Sequence, residues 1–175
     1  RPCRVSGCKT HITDAAIGGR HDALTGWRNR PIPPDMADPD PRIHPYRADL
    51  AAAHLRGTIA APRYATGTRR TVEAGSSPLR HAPDDSAGLD TELLFGETVT
   101  VYDEDGTWSW LQSDTDGYVG YAHSDALGPP LGPPTHRVAV LRSFLFPEPD
   151  LKTPPRNLVS LNAALRVTGV DGAHS

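Results

Sequence analysis

Methionine, lysine and cysteine are scarce in this chain of 175 residues. Met36 is its one methionine, Lys9 and Lys152 its only lysines, and Cys3 and Cys8 its only cysteines. The two cysteines sit together near the start with no second pair to complete a zinc site, so they read as a small disulfide or as ordinary thiols. No His-Glu-x-x-His run and no Gly-x-Ser-x-Gly elbow occurs, so no metal, no cofactor and no hydrolase triad is expected. Long apolar runs are missing too, which argues against a membrane span. No charged start leads into an apolar stretch, and the expected place of work is the cytoplasm. Strong positive charge is likewise absent. A formal net charge of −3 and a pI near 6.2 speak against a nucleic-acid partner. Apolar residues make up 37% and the mean hydropathy is −0.45, thin for one large core and suited to small β modules with linkers.

Proline and glycine, at 18 and 16 residues, are what the chain does have, and both break helices and punctuate turns. Residues 1–35 show no periodicity and end in Pro31-Ile32-Pro33-Pro34. Two readings fit them: sequence upstream of a native start at Met36, or a disordered N-terminal tail. Residues 36–70 read as a helical lead-in and connector. Tyr46 to Arg56 is alanine-rich with Leu50 and Leu55 for apolar weight, and Gly57 is placed to end a helix. The run Gly128-Pro129-Pro130-Leu131-Gly132-Pro133-Pro134 is a semi-rigid linker, so a boundary is expected at residues 129–135.

Between the lead-in and the linker lies the most regular stretch, Leu89 to Leu127. It reads as three strands: Leu93 to Val101, Trp108 to Gln112, and Tyr118 to Tyr121. Two-residue turns are expected at Asp105-Gly106 and Asp116-Gly117, where Asp-Gly supplies positive φ cheaply. With Val72 to Arg80 as an opening strand, residues 71–128 form a small β module. Trp108 and Trp110 share one face of their strand, and Ser109 and Leu111 share the other. Residues 136–175 repeat the opening of this module (strand, proline-containing loop, apolar strand) without a Trp-rich strand after it, and so read as an incomplete second copy.

The run LLFGETVTVYDEDGTWSWLQSDTDGYVGYA resembles the bacterial SH3 (SH3b) domain, whose later strands carry a Gly-Trp step and then Gly-x-x-Gly-aromatic-Val. More closely, it looks like the SH3b domain at the front of the NlpC/P60 cysteine peptidases, which cleave peptidoglycan stem peptides, many between D-glutamate and the diamino acid. DPRIHPYRADLAAAHLRG and THRVAVLRSFLFPEPDLKTPP are similar to that family's helical lead-in and second SH3b domain. The resemblance implies a mainly β protein: an SH3-like barrel with a short helical lead-in and an incomplete second SH3b. It departs from the family in one respect. The nucleophile there is a cysteine in an Asp-Cys-Ser-Gly-type motif, and neither Cys3 nor Cys8 stands in one, so no catalytic residue is assigned here.

The resemblance therefore implies a recognition part whose partners are peptidoglycan-derived peptides and a catalytic domain outside this chain. Aromatic side chains with polar tips suit peptides and sugars. Tyr118, Tyr121, Trp110 and Glu97 are the candidate substrate-binding residues, and Glu97 or Asp116 is placed to pair with a free peptide amine. For Trp108, Trp110 and Tyr118 packing weighs more than ligand contact, and Tyr121 is evenly balanced. Two further readings remain: a free-standing cell-wall-binding module without catalysis, and an assembly protein that binds a protein partner through the barrel face. If Met36 is the start, mass spectrometry of the native protein finds its N-terminal peptide there; a peptide covering Thr10 to Arg20 refutes that start.

Overall fold

In the computed structural model the described residues are 39–169, so the expectations for residues 1–35, Cys3, Cys8 and Met36 fall outside them. Strands dominate. They are β1 Tyr46–Arg47, β2 Leu50–Ala52, β3 Arg63–Ala65, β4 Thr68–Val72, β5 Ser76–Arg80, β6 Leu89–Leu94 and β7 Thr98–Glu104. There follow β8 Trp108–Ser113, β9 Val119–His123, β10 Leu127–Gly128, β11 His136–Arg137, β12 Arg142–Leu145, β13 Asn157–Ser160 and β14 Ala164–Leu165. Among the described residues helix is limited to two 3-10 turns, Ala53–Leu55 and Ser124–Ala126. The protein is mainly β, and no helix among the described residues is long and apolar enough to cross a membrane.

Seven strands form one sheet in the order β10-β4-β7-β8-β9-β5-β6. Each contributes to a single core: Val72 from β4, Leu79 from β5, Leu93 from β6, Val99 and Val101 from β7, Leu111 from β8, Ala122 from β9 and Leu127 from β10. One cluster can touch all seven strands only if the sheet curls around it. Alternation along β8 sets which side chains enter: Ser109, Leu111 and Ser113 are buried inside, while Trp108, Trp110 and Gln112 point out. At Gly120 of β9 the neighbouring strand passes so close that a Cβ would lie 2.6 Å from the Arg80 carbonyl oxygen, so the second glycine of Gly-Tyr-Val-Gly-Tyr serves packing.

Two details of the meander differ from the expectation. Leu93 to Val101 is not one strand: the chain turns at Phe95-Gly96, leaving β6 and β7 as separate strands. Both Asp-Gly turns are present, each with positive φ at its glycine, but their framing differs. The first closes with the Asp105 N–H on the Trp108 carbonyl at 3.1 Å, which makes Gly106-Thr107 its centre. The Asp105 carboxylate accepts the Thr107 and Trp108 N–H groups at 3.2 and 2.8 Å, the local bonding that makes aspartate a turn former. In the second, the Ser113 N–H donates to the Tyr118 carbonyl at 2.9 Å, so the loop has four residues, Asp114 to Gly117.

The lead-in is not the helix expected from Tyr46 to Arg56. β2 pairs antiparallel with β1 and parallel with β3, and only Ala53–Leu55 coils. Tertiary packing overrides propensity. Leu50, Ala51 and Ala52 are consecutive and all buried, covered on both sides of the strand, where an exposed helix face would leave a third of them in water. Leu50 packs on Trp110 and Val119, whereas Ala51 and Ala52 pack with Leu55 and Ile59. Two further bonds tie the lead-in to the meander: Val119 N–H donates to the Arg42 carbonyl at 2.7 Å, and Gln112 Nε2 to the Ile43 carbonyl at 3.0 Å.

Beyond the linker the chain repeats itself with an offset of 66 residues. Val72 N–H bonds the Glu97 carbonyl, and Val138 N–H bonds that of Ala163; Gly96 N–H bonds Val72, and Asn162 N–H bonds Val138. Phe95 N–H on Gly75 is matched by Leu161 N–H on Leu141. Strand pairing keeps the offset: Ser76↔Leu94 and Leu79↔Thr91 become Arg142↔Ser160 and Leu145↔Asn157, while Thr71↔Thr98 becomes Arg137↔Ala164. Core positions Val72, Leu79, Leu93, Val99 and Val101 correspond to Val138, Leu145, Val159, Leu165 and Val167, apolar in every case. Among the described residues β8, β9 and β10 have no counterpart.

The repeat packs against the seven-stranded sheet at the β6–β7 turn. There Phe95 lies on Val138, Val159 and Ala163, and the Ala164 N–H donates to the Phe95 carbonyl at 2.8 Å. Gly96, at φ +78, leaves no room for a side chain: a Cβ would lie 1.8 Å from the Ala164 carbonyl oxygen. Gly96→Ala should lower the free energy of unfolding by about 2–4 kcal/mol, adding a backbone clash to the left-handed strain. Gly106→Ala, equally left-handed but facing open space, should cost only about 1–2 kcal/mol. Urea titration of the two variants tests this, and equal losses would show that the contact does not constrain Gly96.

Candidate functional site

The outward face of β8 forms the floor of an open groove of about 540 Å³. Trp108, Trp110 and Tyr121 supply its aromatic surface. Trp110 and Tyr121 are directly paired across β8 and β9, and Tyr102 leans on Trp110 with ring centroids 5.8 Å apart. Three walls close on this floor. The lead-in contributes Arg47, Ala48 and Asp49; the end of β7 and its turn contribute Asp103, Glu104 and Asp105; the loop after β5 contributes Pro83.

Local chemistry holds each wall. The loop after β5 is tied by Arg80 Nη1 donating to the Ala87 carbonyl at 2.6 Å and by the Ser86 N–H on Asp84 at 2.7 Å. His123 bonds Asp85 at 2.9 Å, and its ring stacks on Trp108 at 4.0 Å between centroids. At the opposite wall the Arg47 guanidinium lies 4.7 Å over the Trp110 ring, donates to Asp49 at 2.8 Å and to Asp103, and reaches the Tyr121 hydroxyl at 3.4 Å. Cation and aromatic ring attract one another by about 0.5–1 kcal/mol at a partly exposed site.

The groove carries an excess of negative charge. One cation, Arg47, faces four carboxylates, those of Asp49, Asp103, Glu104 and Asp105. Glu104 is further engaged by Arg70 at 3.2 Å and by the Ser109 hydroxyl at 3.1 Å. Asp49 also accepts from Arg63 at 2.6 Å. Bonds from Arg47 and then Arg63 hold the Asp49 carboxyl well below the usual carboxylate range. Burial pulls the Arg47 guanidinium down, but its bonds to Asp49 and Asp103 outweigh that, and its net shift is upward. Tyr102 is raised by burial and, next, by the charge of Asp114. An aromatic floor with an anionic rim suits a ligand that presents an apolar body and a cationic group.

Residues 79–127 match the family model described as the bacterial dipeptidyl-peptidase SH3 domain. This stretch is a bacterial SH3 region. The match runs from β5 to β10 and spans well under half of the chain. No curated protein matches the chain. A bacterial SH3 region of a peptidase-associated kind fits a recognition or cell-wall-binding module.

Within the SH3 region the four sequence candidates part company. Trp110 and Tyr121 are together in the groove; Trp110 is also packed under the lead-in and only 4% exposed. Tyr118 packs against the inner core instead. Glu97 is buried elsewhere, where its Oε2 accepts the Leu94 N–H at 3.1 Å and secures the β6–β7 turn. Asp116, weighed with it as an amine partner, accepts from the Thr91 hydroxyl at 2.9 Å and the Tyr118 N–H at 3.1 Å, and is not part of the groove. The carboxylates beside the aromatics are those of Asp49, Asp103, Glu104 and Asp105. The dense acids of Tyr102-Asp103-Glu104-Asp105-Gly106, next to two same-face tryptophans, were a usable signal for three of them. Arg47 and Asp49 gave none, because the lead-in read as a helix. Among the described residues no cluster of three or more histidine, cysteine, aspartate or glutamate side chains is arranged to hold a metal ion.

The depressed Asp49 carboxyl sets the acid response of the groove wall. Its ordinary value is 3.8 and its folded value is lower. The unfolded state therefore takes up the proton first, so this contribution is complete above the ordinary value and lost as pH falls through the folded one. Because Asp49 is exposed, salt should weaken the effect. NMR of the Trp110 indole should show the lead-in seated at mildly acid pH and loosened only in strong acid. In Asp49→Asn that acid transition should shrink; an unchanged transition would assign it to another group.

Proposed function

We propose that the SH3 region is the recognition part of a bacterial NlpC/P60-type cysteine peptidase and that its groove binds peptidoglycan stem peptides. The observation that carries this reading is the groove itself: Trp108, Trp110 and Tyr121 under a rim of four carboxylates, on a stretch that matches the SH3 domain of bacterial dipeptidyl-peptidases. A stem peptide has a short aliphatic body and amino groups. The rings cover the body, and Asp103 and Asp105 face an ammonium group. Hydrolysis, in this reading, belongs to a separate catalytic domain: a thiolate attacks the scissile carbonyl and a histidine transfers the proton to the leaving amine. The SH3 region selects and positions the peptide for that step.

Isothermal titration of the chain with the free tripeptide L-Ala-γ-D-Glu-diaminopimelate, and pelleting with intact peptidoglycan, test the reading. Binding of the tripeptide is expected, with N-acetylation of its alanine weakening it. Asp103→Asn and Tyr121→Ala should each weaken binding by about tenfold, the loss of one good polar or aromatic contact. Glu97→Gln should leave affinity unchanged, since Glu97 is outside the groove. Pelleting with whole peptidoglycan and no affinity for the tripeptide would replace the peptidase reading with that of a wall-binding module.

A further inference from the structure

His123 touches two parts of the groove at once. It stands directly opposite Trp108 across the β8–β9 pairing, and the two rings stack at 4.0 Å between centroids and 29° between planes. Its Nε2 also lies 2.9 Å from the Asp85 carboxylate, in the loop between β5 and β6. That loop carries Pro83, which lines the groove. The base of the loop is fixed by Arg80 on the Ala87 carbonyl and by the His81 N–H on the Gly88 carbonyl. Its tip is a self-contained turn: the Asp84 N–H bonds Ala82, the Ala87 N–H bonds Asp84, and Ser86 bonds the Asp84 carboxylate through both its N–H and its hydroxyl. For residues 82–86 the contact of Asp85 with His123 is the one hydrogen bond, among the described residues, that reaches the sheet.

A tip with one tether is held where the tether puts it. Pro83 is exposed and Trp108 only half-buried, so core packing fixes neither of these apolar surfaces. His123 can fix both, because its own strand is rigid: β9 lies inside the sheet, between β8 and β5. The Asp85 side chain is 77% exposed, so the tether has the strength of a surface pair, enough to bias a loop and too little to matter for folding. Its effect is preorganisation, since a wall already in place need not be ordered when a ligand arrives. We infer that His123 is a positioning residue of the groove: its ring steadies the Trp108 floor and, through Asp85, it holds the Pro83 wall. The apolar body of a ligand then meets both surfaces ready-made. This inference rests on the reading of the groove as the ligand site.

Nitrogen-15 relaxation of the free chain and its titration with L-Ala-γ-D-Glu-diaminopimelate test the proposal. Without ligand, the backbone amides of residues 84–87 should have order parameters close to those of the strands. Asp85→Ala and His123→Phe should both lower them, while the urea midpoint of Asp85→Ala stays that of the wild type. Phenylalanine keeps a flat ring against Trp108 and removes only the bond to Asp85. Tripeptide affinity should therefore fall about threefold in either variant and no further in the double variant, because both cut the same tether. His123→Ala, which also uncovers Trp108, should cost about tenfold. Order parameters that stay high in both single variants overturn the proposal. So do losses of affinity that add in the double variant, or a loss in His123→Ala no larger than in His123→Phe. If the wild-type chain does not bind the tripeptide, the stem-peptide reading falls, and the order parameters alone decide the role of His123.

Discussion

Strand β8 has weight on both faces, and covering its second face organises the site. Leu111 and its neighbours on the inner side are enclosed by the curled sheet. Trp108 and Trp110 project outward, and two large indoles left in water would forgo several kcal/mol of burial, about 1.5–3 for a side chain of ordinary apolar size. Residues 39–65 answer that need in part. Leu50 covers Trp110 and Val119, and Arg47 lays its guanidinium over the indole. Trp108 is only half-covered, against His123. The groove is the space between a covered indole and an incompletely covered one.

Its polarity follows from the same arrangement. A solvent-facing hairpin turn favours aspartate, because the side chain bonds its own backbone, as Asp105 does. Such a turn beside the tryptophans gives the groove its acidic rim without any carboxylate being forced into a dry interior. Arg47 offsets part of that charge and orders Asp49, Asp103 and Tyr121 around itself. Turn chemistry and lead-in packing, each explicable without a ligand, together leave a site with a defined charge preference.

Much of the SH3 region was legible in the residues. Alternation assigned Trp108 and Trp110 to one face and Leu111 to the other, and the Asp-Gly pairs marked both hairpins. The exact turn frames were not legible, because a side-chain bond from Asp105 and a four-residue loop after Ser113 decide them. The lead-in misled for a definite reason. Three alanines favour a helix in isolation, but small side chains also suit a strand covered on both sides, and only the fold shows that the cover exists. That error hid Arg47 and Asp49, since a residue on a helix would have had no stated relation to Trp110. Glu97 and Tyr118 were reasonable candidates by type. Their partners, the Leu94 N–H and the inner core, come from segments whose approach is fixed by the whole sheet.

The 66-residue register also bears on growth. A unit that carried both a seat and the element fitting it could stack copy upon copy without limit, and such head-to-tail contacts build fibres. Here the seat depends on Gly75 and Gly96, where backbone of the repeat comes closer than any side chain would allow. At the matching places the repeat has Leu141 and Asn162. Those side chains block the same close approach a second time. The first copy receives its neighbour through two glycines, and the neighbour, with a leucine and an asparagine there, offers no such seat.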